Sequence, residues 1–346
     1  MYLTEQEIMS QHEALQKTYE FMRLKEAETN TFFEKYPQKR FVIFGCGSSY
    51  MLAKSGARFL AACKGTAATA IAGGDYLIHT KFYEETIKDS IVIVLSRSGQ
   101  TSEIVRSVKF IKETYGNPII SFCMQDDNDV MAYSDLDFIM DWCYDRSVCQ
   151  TRTVTNLYTA LLMMTLFYNK EAAVLEDIKA AIDANEGYKN AYRPVFKEIA
   201  KEEWDNVIIL ADGPIVGIAE EGALAFTEIS MLSGKCFNML DYRHGPMVLD
   251  DKNTLTIVLL SDAEEKLQGD MIADLKTHGG TLITVSTVKE NKYDSSAHIC
   301  IGAIKDFRVY GIPFINVMQL IAYEKSILLE RNPDAPTGLD AFITLK

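Results

Sequence analysis

The chain has 346 residues, of which 48% are hydrophobic and 24% are charged, and this is enough to bury the cores of two ordinary domains. Its formal net charge is -13, which argues against general binding of nucleic acid or of an anionic membrane surface, because both partners need a positive field. We therefore predict partners that are neither nucleic acid nor membrane. Backbone amides at a helix start can still bind a local anion, since they need no net positive charge.

The seven cysteines are scattered, and none forms a CxxC pair. This pattern predicts neither a disulfide framework nor a zinc ribbon, and it fits a reducing cytoplasm. We expect no signal peptide, because the segment 1–7 has neither a basic nor an apolar region,, and no membrane span, because the longest apolar stretches are of strand length or amphipathic. No cluster of His, Asp and Glu has metal-ligand spacing, so we predict no metal and no other cofactor.

Strand and helix patterns alternate along the chain after a charged helical segment at its start. Short apolar, β-branched runs predict strands at 41–44, 67–71, 91–95, 118–123, 137–140, 207–210, 255–260, 282–285 and 299–301,. A charged helical connector, 168–203, separates the two groups of strands. The alternation predicts an α/β fold with two doubly wound parallel-sheet, flavodoxin-like domains in tandem. The predicted bounds are 1–34 for the helical segment, 35–180 for the first domain and 181–346 for the second.

Four hydroxyl residues and a glycine occupy the segment 96–103, between the strand at 91–95 and the next helix. At a helix start the first N–H groups are unpaired and the helix dipole is positive, which favours an anion. The alternative is an ordinary helix cap with a capping-box acid at Glu103. One hydroxyl would serve that purpose, whereas four favour a phosphate pocket.

A second turn of the same kind, Gly45-Cys46-Gly47-Ser48-Ser49, follows the strand at 41–44. It lacks the third glycine of the dinucleotide fingerprint, so it suits a phosphate or a sugar hydroxyl better than a pyrophosphate. Both turns lie at the carboxyl ends of strands, where doubly wound sheets bind their ligands. The segment 146–153, which opens a helix rich in Leu and Met, is a third candidate wall of this pocket.

The second half of the chain supplies candidate acid and base groups. Glu221 and Glu228 are two turns apart on one face of a helix predicted over 215–232,, although acids on a helix are usually solvated. His244 lies between an arginine and a Gly-Pro pair, which fix its backbone and place a positive charge beside it. Histidine is well suited to proton transfer near neutral pH. The alternative is a structural histidine in a turn.

Four motifs, in this order and at this spacing, resemble the sugar isomerase (SIS) family. They are Gly45–Tyr50, Ser96–Thr101, Glu221–Leu224 with Glu228, and Tyr242–Pro246. The resemblance covers nearly the whole chain, from Glu7 to the tail. It is to the double-domain branch that contains the isomerase half of glucosamine-6-phosphate synthase and the tagatose-6-phosphate ketose/aldose isomerase group. It implies two tandem SIS domains and a sugar-phosphate substrate.

The resemblance implies a role for each matching residue. The phosphate would be held by Ser96, Ser98 and Thr101, with Ser49 beside them. The sugar hydroxyls would be held by Ser48 and by the backbone from Val148 to Gln150. The substrate-binding set would also include Arg97, Gln100 and Glu221.

The resemblance also implies the catalytic groups. Glu228 looks like the base that moves a proton between C1 and C2, and His244 looks like the residue that opens the sugar ring. In this family that histidine reaches the site from the neighbouring subunit, so we expect a homodimer, or a higher homo-oligomer, with shared sites. The chemistry agrees with this division, because phosphate binding supplies orientation while a carboxylate and an imidazole supply acid and base.

The chain departs from the synthase at two lysines. The corresponding positions look like Ala225 and Ala341, and Lys235 and Lys346 are poor substitutes by position. Arg97 replaces a glutamine that is common at its turn, which suggests an extra charge pair with the phosphate. We also find no amidotransferase half in the sequence, so we do not expect synthesis of glucosamine phosphate from glutamine.

Three functions therefore stay open. The first is a phosphosugar aldose–ketose isomerase or an amino-sugar-6-phosphate deaminase-isomerase. The second is a deglycase of 6-phosphorylated fructose–amino-acid adducts, which would use the same phosphate site and base and would not need the missing lysines. The third is a sugar-phosphate sensor without turnover, which the short acidic segment 1–34 and the presence of both Glu228 and His244 disfavour.

Overall fold

The computed structural model describes residues 1–340 and 345 of the protein. It contains two parallel β-sheets of five strands each. The first sheet consists of β1 Arg40–Gly45, β2 Ala67–Ala72, β3 Ser90–Ser96, β4 Ile119–Cys123 and β5 Leu136–Ile139. The second sheet consists of β6 Asn206–Leu210, β7 Ser233–Phe237, β8 Thr254–Leu259, β9 Thr281–Ser286 and β10 Ala297–Cys300. The predicted α/β fold with parallel sheets is confirmed.

Helices connect the strands, and the predicted helical segment at the start of the chain forms the first two. The helices are α1 Leu3–Met9, α2 Gln11–Lys35, α3 Ser48–Ala61, α4 Gly73–Ile78, α5 Glu84–Ile87, α6 Ser102–Tyr115, α7 Arg152–Asn169, α8 Val174–Lys201, α9 Val216–Ile229, α10 Glu265–His278 and α11 Gly311–Leu328. Among the residues that the structure describes, no helix is both long and apolar enough to cross a membrane.

The first sheet has the strand order β2-β1-β3-β4-β5, and β1 pairs with both β2 and β3. The chain therefore runs in opposite directions across the sheet from β1 and from β3, and the carboxyl ends of these two strands form the topological switch point of the sheet. The strand β3 is buried along its whole length, because Val92 and Val94 pack against Ile104, Val108 and Ile111 of α6. These three residues recur at helical spacing, so burial of one face of α6 places its first turn at the switch point.

The second sheet has the order β10-β9-β8-β6-β7, which is the same connectivity with β6 in the place of β1. Ile208 of β6 and Val258 of β8 pack against Met271, Ile272 and Leu275 of α10. The apolar face of α10 therefore fixes this helix against the sheet.

The chain folds into two compact units that do not follow a single cut in the sequence. The first-sheet unit contains Glu13–Arg146 and Arg152–Glu176 together with the described residues after Leu339. The second-sheet unit contains Met1–His12, Ser147–Thr151 and Asp177–Leu339.

The strand β7 is not among the predicted strands. Its sequence, Ser-Gly-Lys-Cys-Phe, lacks the β-branched residues that typify a strand,. It forms because β6 has a free edge that accepts it, in register from Asn206 opposite Ser233 to Leu210 opposite Phe237. Gly234 permits close contact with α9, since a Cβ there would lie 2.1 Å from the carbonyl oxygen of Ala223.

Candidate functional site

The hydroxyl turn after β3 is a compact, buried loop. Ser96, Arg97 and Ser98 are only 3–5% exposed. The hydroxyl of Ser96 accepts a hydrogen bond from the amide of Gly99 at 2.9 Å, and that of Ser98 accepts one from the amide of Gln100 at 3.1 Å. These bonds fix the hydroxyl oxygens, and each hydroxyl hydrogen can still be donated to a bound anion.

The first turn of α6 does not use a hydroxyl cap. Thr101 occupies the N-cap position, and its side chain makes no capping hydrogen bond. The helix begins at Ser102, so Glu103 is not at the position from which a capping box is closed,. The capping-box alternative is therefore wrong, and the Thr101 side chain does not occupy the first amides of α6, so an anion can bind there.

The second hydroxyl turn lies at the neighbouring strand end. Phe44 of β1 is in register with Val94 of β3, so the two turns leave the sheet side by side. Gly47 is the N-cap of α3, with φ 53°, and Ser48 and Ser49 form its first turn, each 4% exposed. The sheet thus brings together two helix starts and five predicted binding residues. These are Ser48, Ser49, Ser96, Ser98 and Thr101.

Arg97 and Gln100 lie in the turn between β3 and α6, beside the hydroxyl residues. The guanidinium carbon of Arg97 lies 5.7 Å from the centre of the Tyr144 ring, and the Arg97 carbonyl accepts a hydrogen bond from Met124 at 3.1 Å. Gln100 lines a cavity of about 690 Å³, whose wall also includes Trp142 and Arg152. A buried arginine beside a loop of hydroxyls adds positive charge to the anion site.

The segment 146–153 divides between the two units. Ser147, Val148 and Gln150 belong to the second-sheet unit, where the amide of Val148 donates to the carbonyl of Asp334 at 2.9 Å. The Ser147 hydroxyl binds the carboxylate of Glu7. The backbone predicted to hold sugar hydroxyls is therefore anchored to the start and to the tail of the chain.

The two helix glutamates lie on α9 in different environments. Glu221 is 1% exposed, whereas Glu228, one residue before the end of the helix, is partly exposed. Glu228 lines a cavity of about 590 Å³ together with Lys235 of β7 and the tail residues Pro336 to Gly338. A carboxylate at the wall of an open cavity can reach a substrate, as a general base must.

Lys235 is in the wall of the same cavity as Glu228, although by sequence position it looked like a poor substitute for the missing lysines. Ala225, at one of those positions, is 3% exposed. Ala341 and Lys346 lie outside the described residues. The position of Lys235 beside Glu228 could not be predicted from the sequence, because it depends on the strand β7, which was not predicted.

His244 sits at the tip of a tightly bonded segment. It follows a short 3₁₀ helix, Asp241–Arg243, and its amide donates to the carbonyl of Asp241 at 2.9 Å. Tyr242 is fully buried, while His244 is exposed. The next residue, Gly245, has φ 127°, a conformation that side-chain-bearing residues avoid,. The imidazole is therefore presented to solvent from a rigid backbone.

Cys46, inside the second hydroxyl turn, is not a thiolate at neutral pH. Burial, assisted by the negative charge of Glu103, raises the pKa of its thiol to about 11, and a protonated thiol is a poor nucleophile. Within residues 1–340 and 345, no group of three or more His, Cys, Asp and Glu side chains could hold a metal ion.

A comparison with known protein families matches part of the first-sheet unit. Residues 36–168, which contain both hydroxyl turns, match the family described as the SIS domain. This match covers well under half of the chain, and it places the two hydroxyl turns in a region similar to the SIS domain. The predicted resemblance to the SIS family is confirmed for this region, which contains the motifs Gly45–Tyr50 and Ser96–Thr101.

Relatives of the SIS domain extend the match beyond residue 168. The chain is 21% identical over 323 residues to a glutamine–fructose-6-phosphate aminotransferase (isomerizing) from Shewanella oneidensis, covering 89% of this chain and 52% of that protein. The chain spans about half the length of the curated relatives it matches.

Solved structures show the same fold. Tagatose-6-phosphate ketose/aldose isomerase from Escherichia coli superposes with a TM-score of 0.85 at 19% identity, covering 97% of this chain and 96% of that one. Glucosamine-6-phosphate deaminase from Thermotoga maritima superposes with a TM-score of 0.76 at 20% identity, covering 95% of this chain and all of that one (100%). The fold of this chain is therefore shared with these two proteins.

Proposed function

We propose that this chain is a phosphosugar aldose–ketose isomerase or an amino-sugar-6-phosphate deaminase-isomerase, built from two SIS domains with the bounds 35–180 and 181–346. One observation carries the proposal: two buried hydroxyl turns leave adjacent strands and begin two helices, at Ser48 and at Ser102. Helix starts lined with hydroxyl donors suit a phosphate monoester. The shared strand order of the two sheets supports the second domain.

The proposed reaction is a proton transfer after ring opening. His244 takes the proton of the anomeric hydroxyl and delivers one to the ring oxygen, which gives the open-chain aldose. The Glu228 carboxylate then removes the proton from C2, so that the C–H electron pair forms the C1=C2 double bond of an enediol and the C1 carbonyl oxygen takes a proton from water. The C1=C2 electron pair next takes the proton back from Glu228 at C1, and the C2 hydroxyl gives its proton to the hydroxide left by that water, which yields the ketose. In this scheme the phosphate site supplies orientation.

The proposal is tested by thermal melting followed by turnover. A ligand that binds only the folded protein raises its melting temperature, so 6-phosphorylated hexoses and hexosamines should do so while their unphosphorylated forms should not. Glu228→Gln should keep this shift and lose turnover at least about a hundredfold, since a general base contributes roughly that much. A panel without any shift or turnover in the wild-type protein would refute the function.

A deglycase acting on 6-phosphorylated fructose–amino-acid adducts is the second candidate. The cavity beside Glu228 favours it, because a volume of about 590 Å³ leaves room for a substituent and Lys235 offers a cation to a carboxylate. We expect Lys235→Met to weaken binding of the adduct about tenfold, with Lys252→Met as the exposed control. Equal loss for adduct and plain sugar phosphate would count against this substrate class.

The proposal also includes a homodimer with shared sites in a reducing, cytoplasmic environment. The seven cysteines are all free thiols, which supports the reducing environment. His244, exposed on a rigid segment, supports donation of this residue to a neighbouring subunit.

A further inference from the structure

Arg243, immediately before His244, is fixed by a carboxylate on a neighbouring helix. Its Nε and Nη2 atoms both lie 2.7 Å from Oδ2 of Asp274 on α10. Two N–H groups of one guanidinium that share an acceptor define the orientation of the side chain better than a single bond. The backbone at His244 is therefore held from one side.

The far end of the same segment is fixed by the same face of α10. The ring Nδ1 of His278 lies 3.0 Å from the carbonyl oxygen of Asp250. Asp274 and His278 are four residues apart and thus one above the other on the helix. The segment 241–250, which we call the histidine segment, is therefore bonded to α10 near both of its ends.

Buried side chains complete the attachment. Tyr242 is fully buried and packs against Phe237, with ring centres 5.3 Å apart. Met247 packs against the same core as Met271 and Leu275 of α10. The histidine segment is thus packed and hydrogen-bonded on its inner side, and its exposed side carries His244.

We infer that Asp274 is a positioning residue that holds His244 in its working place through Arg243. The inference rests on the proposed function. Asp274 does not face the cavity that Glu228 lines, so its effect on the reaction passes through Arg243 and the backbone. Displacement of a catalytic group by about 1 Å can cost a hundredfold in rate, so even a small relaxation should be measurable.

The contribution of this ion pair to folding should be small. The side chains of Arg243 and Asp274 are 31% and 51% exposed, and exposed ion pairs stabilise a fold only weakly. Asp274→Asn is therefore expected to fold normally. Asp270→Asn is the matched control, because Asp270 is an exposed acid one turn earlier on α10.

The experiment measures two quantities in Asp274→Asn, Asp274→Glu and Asp270→Asn. Hydrogen exchange should become faster at residues 243–250 in Asp274→Asn alone. In the same variant kcat for the preferred sugar phosphate should fall about tenfold with KM and the ligand-induced melting shift unchanged, and Asp274→Glu should restore part of the loss. A positioning role predicts this split, whereas a merely structural role would change KM and melting together.

Two results would overturn the inference. One is unchanged exchange at 243–250 in Asp274→Asn, and this result is decisive even if no turnover is found. The other is a kcat that stays within about twofold of the wild type while the exchange changes. Absence of turnover in the wild-type protein would instead overturn the proposed function, and the exchange measurement would still judge the contact between Asp274 and the histidine segment.

Discussion

Gly99 is the residue on which the shape of the first hydroxyl turn depends. Its φ is 64°, and a Cβ would lie 2.5 Å from the Cβ of Asn128. Its amide also donates the bond that fixes Ser96. Any side chain at position 99 would therefore strain the backbone and collide with Asn128, and both effects would disturb the proposed phosphate site.

We expect Gly99→Ala to weaken sugar-phosphate binding at least about tenfold, because the loop must move to clear Asn128 and its hydroxyls move with it. Gly116→Ala is the matched control: Gly116 has nearly the same φ, 67°, but nothing lies within 4 Å of its added Cβ. The control should lose about 1 kcal/mol of stability and no affinity. Calorimetric titration with a 6-phosphorylated sugar checks both, and equal affinities would contradict the phosphate site.

Helix α8 holds the start of the chain in the second-sheet unit. Arg193 binds Glu5 of α1 and lies 2.9 Å from Glu324 of α11. Burial opposes ionisation of Glu5, but hydrogen bonds from Arg193 and Tyr323 outweigh it and lower the pKa of this carboxyl. Lys189 also donates to the carbonyl of Ile8 at 2.8 Å. The helix α1 is therefore fixed by charge as well as by packing.

Arg193→Met should lower the free energy of unfolding by about 3–5 kcal/mol, because it leaves two nearly buried carboxylates without their cation. The matched control is Lys201→Met on the same helix, which removes an exposed pair with Glu198 and should cost at most about 0.5 kcal/mol. Urea denaturation measures both changes. Equal losses would contradict the role of Arg193.

Asp250, at the end of the histidine segment, should make stability depend on pH. Burial, opposed by His278 and assisted by Asp251, raises the pKa of its carboxyl from 3.8 to about 6. Between these values the native state binds more protons than the unfolded state, so stability falls as the pH rises and stays low above the higher value.

Asp250→Asn removes the unfavourable burial of the ionised carboxylate. It should therefore stabilise the protein above pH 6 by roughly 3 kcal/mol, with little change below pH 4. Urea denaturation across this pH range compares the variant with the wild-type protein, and Asp270→Asn serves as the control on an exposed acid. A stability gain that is the same at every pH would contradict the assignment.

The two sheets of the molecule have the same strand order. In each sheet the first strand in the chain lies one place in from an edge, between the second strand at that edge and the third strand. The turns at the switch point of the first sheet carry several hydroxyls and no acid before their helices begin. In the second sheet the corresponding turns are Ala211-Asp212-Gly213 and Ser261-Asp262-Ala263, and the acid in each repels a phosphate. The same architecture thus supplies anion binding in one unit and, by our proposal, acid and base groups in the other.

The proposed sharing of sites predicts complementation between two inactive variants. If His244 serves the site that contains the neighbouring subunit's Glu228, a heterodimer of Glu228→Gln and His244→Ala has one intact site of two. Random mixing should then restore about a quarter of wild-type activity. Activity is measured after subunit exchange of the purified variants, and the absence of recovery despite confirmed exchange would exclude shared sites.

The apolar pattern was sufficient to predict the strands that are buried on both faces and the turns that join them to their helices. The strand β3 contains a continuous apolar run, Ile91–Leu95, because strands of a sheet covered on both faces have no solvent-facing side,. The hydroxyl residues of Ser96–Ser102 can be read directly from the sequence. The parallel sheets followed from the alternation of strands and helices. The domain bounds and the roles of the site residues stay predictions.

Contacts between distant residues could not be predicted from local sequence patterns. The strand β7 forms on the open edge of β6 although its own residues favour no strand, and it places Lys235 in the cavity of Glu228. The contact of Arg243 with Asp274 joins residues 31 positions apart. Local patterns record burial and backbone preference, whereas these contacts depend on how α9 and α10 pack on the second sheet, and packing is a property of the folded chain.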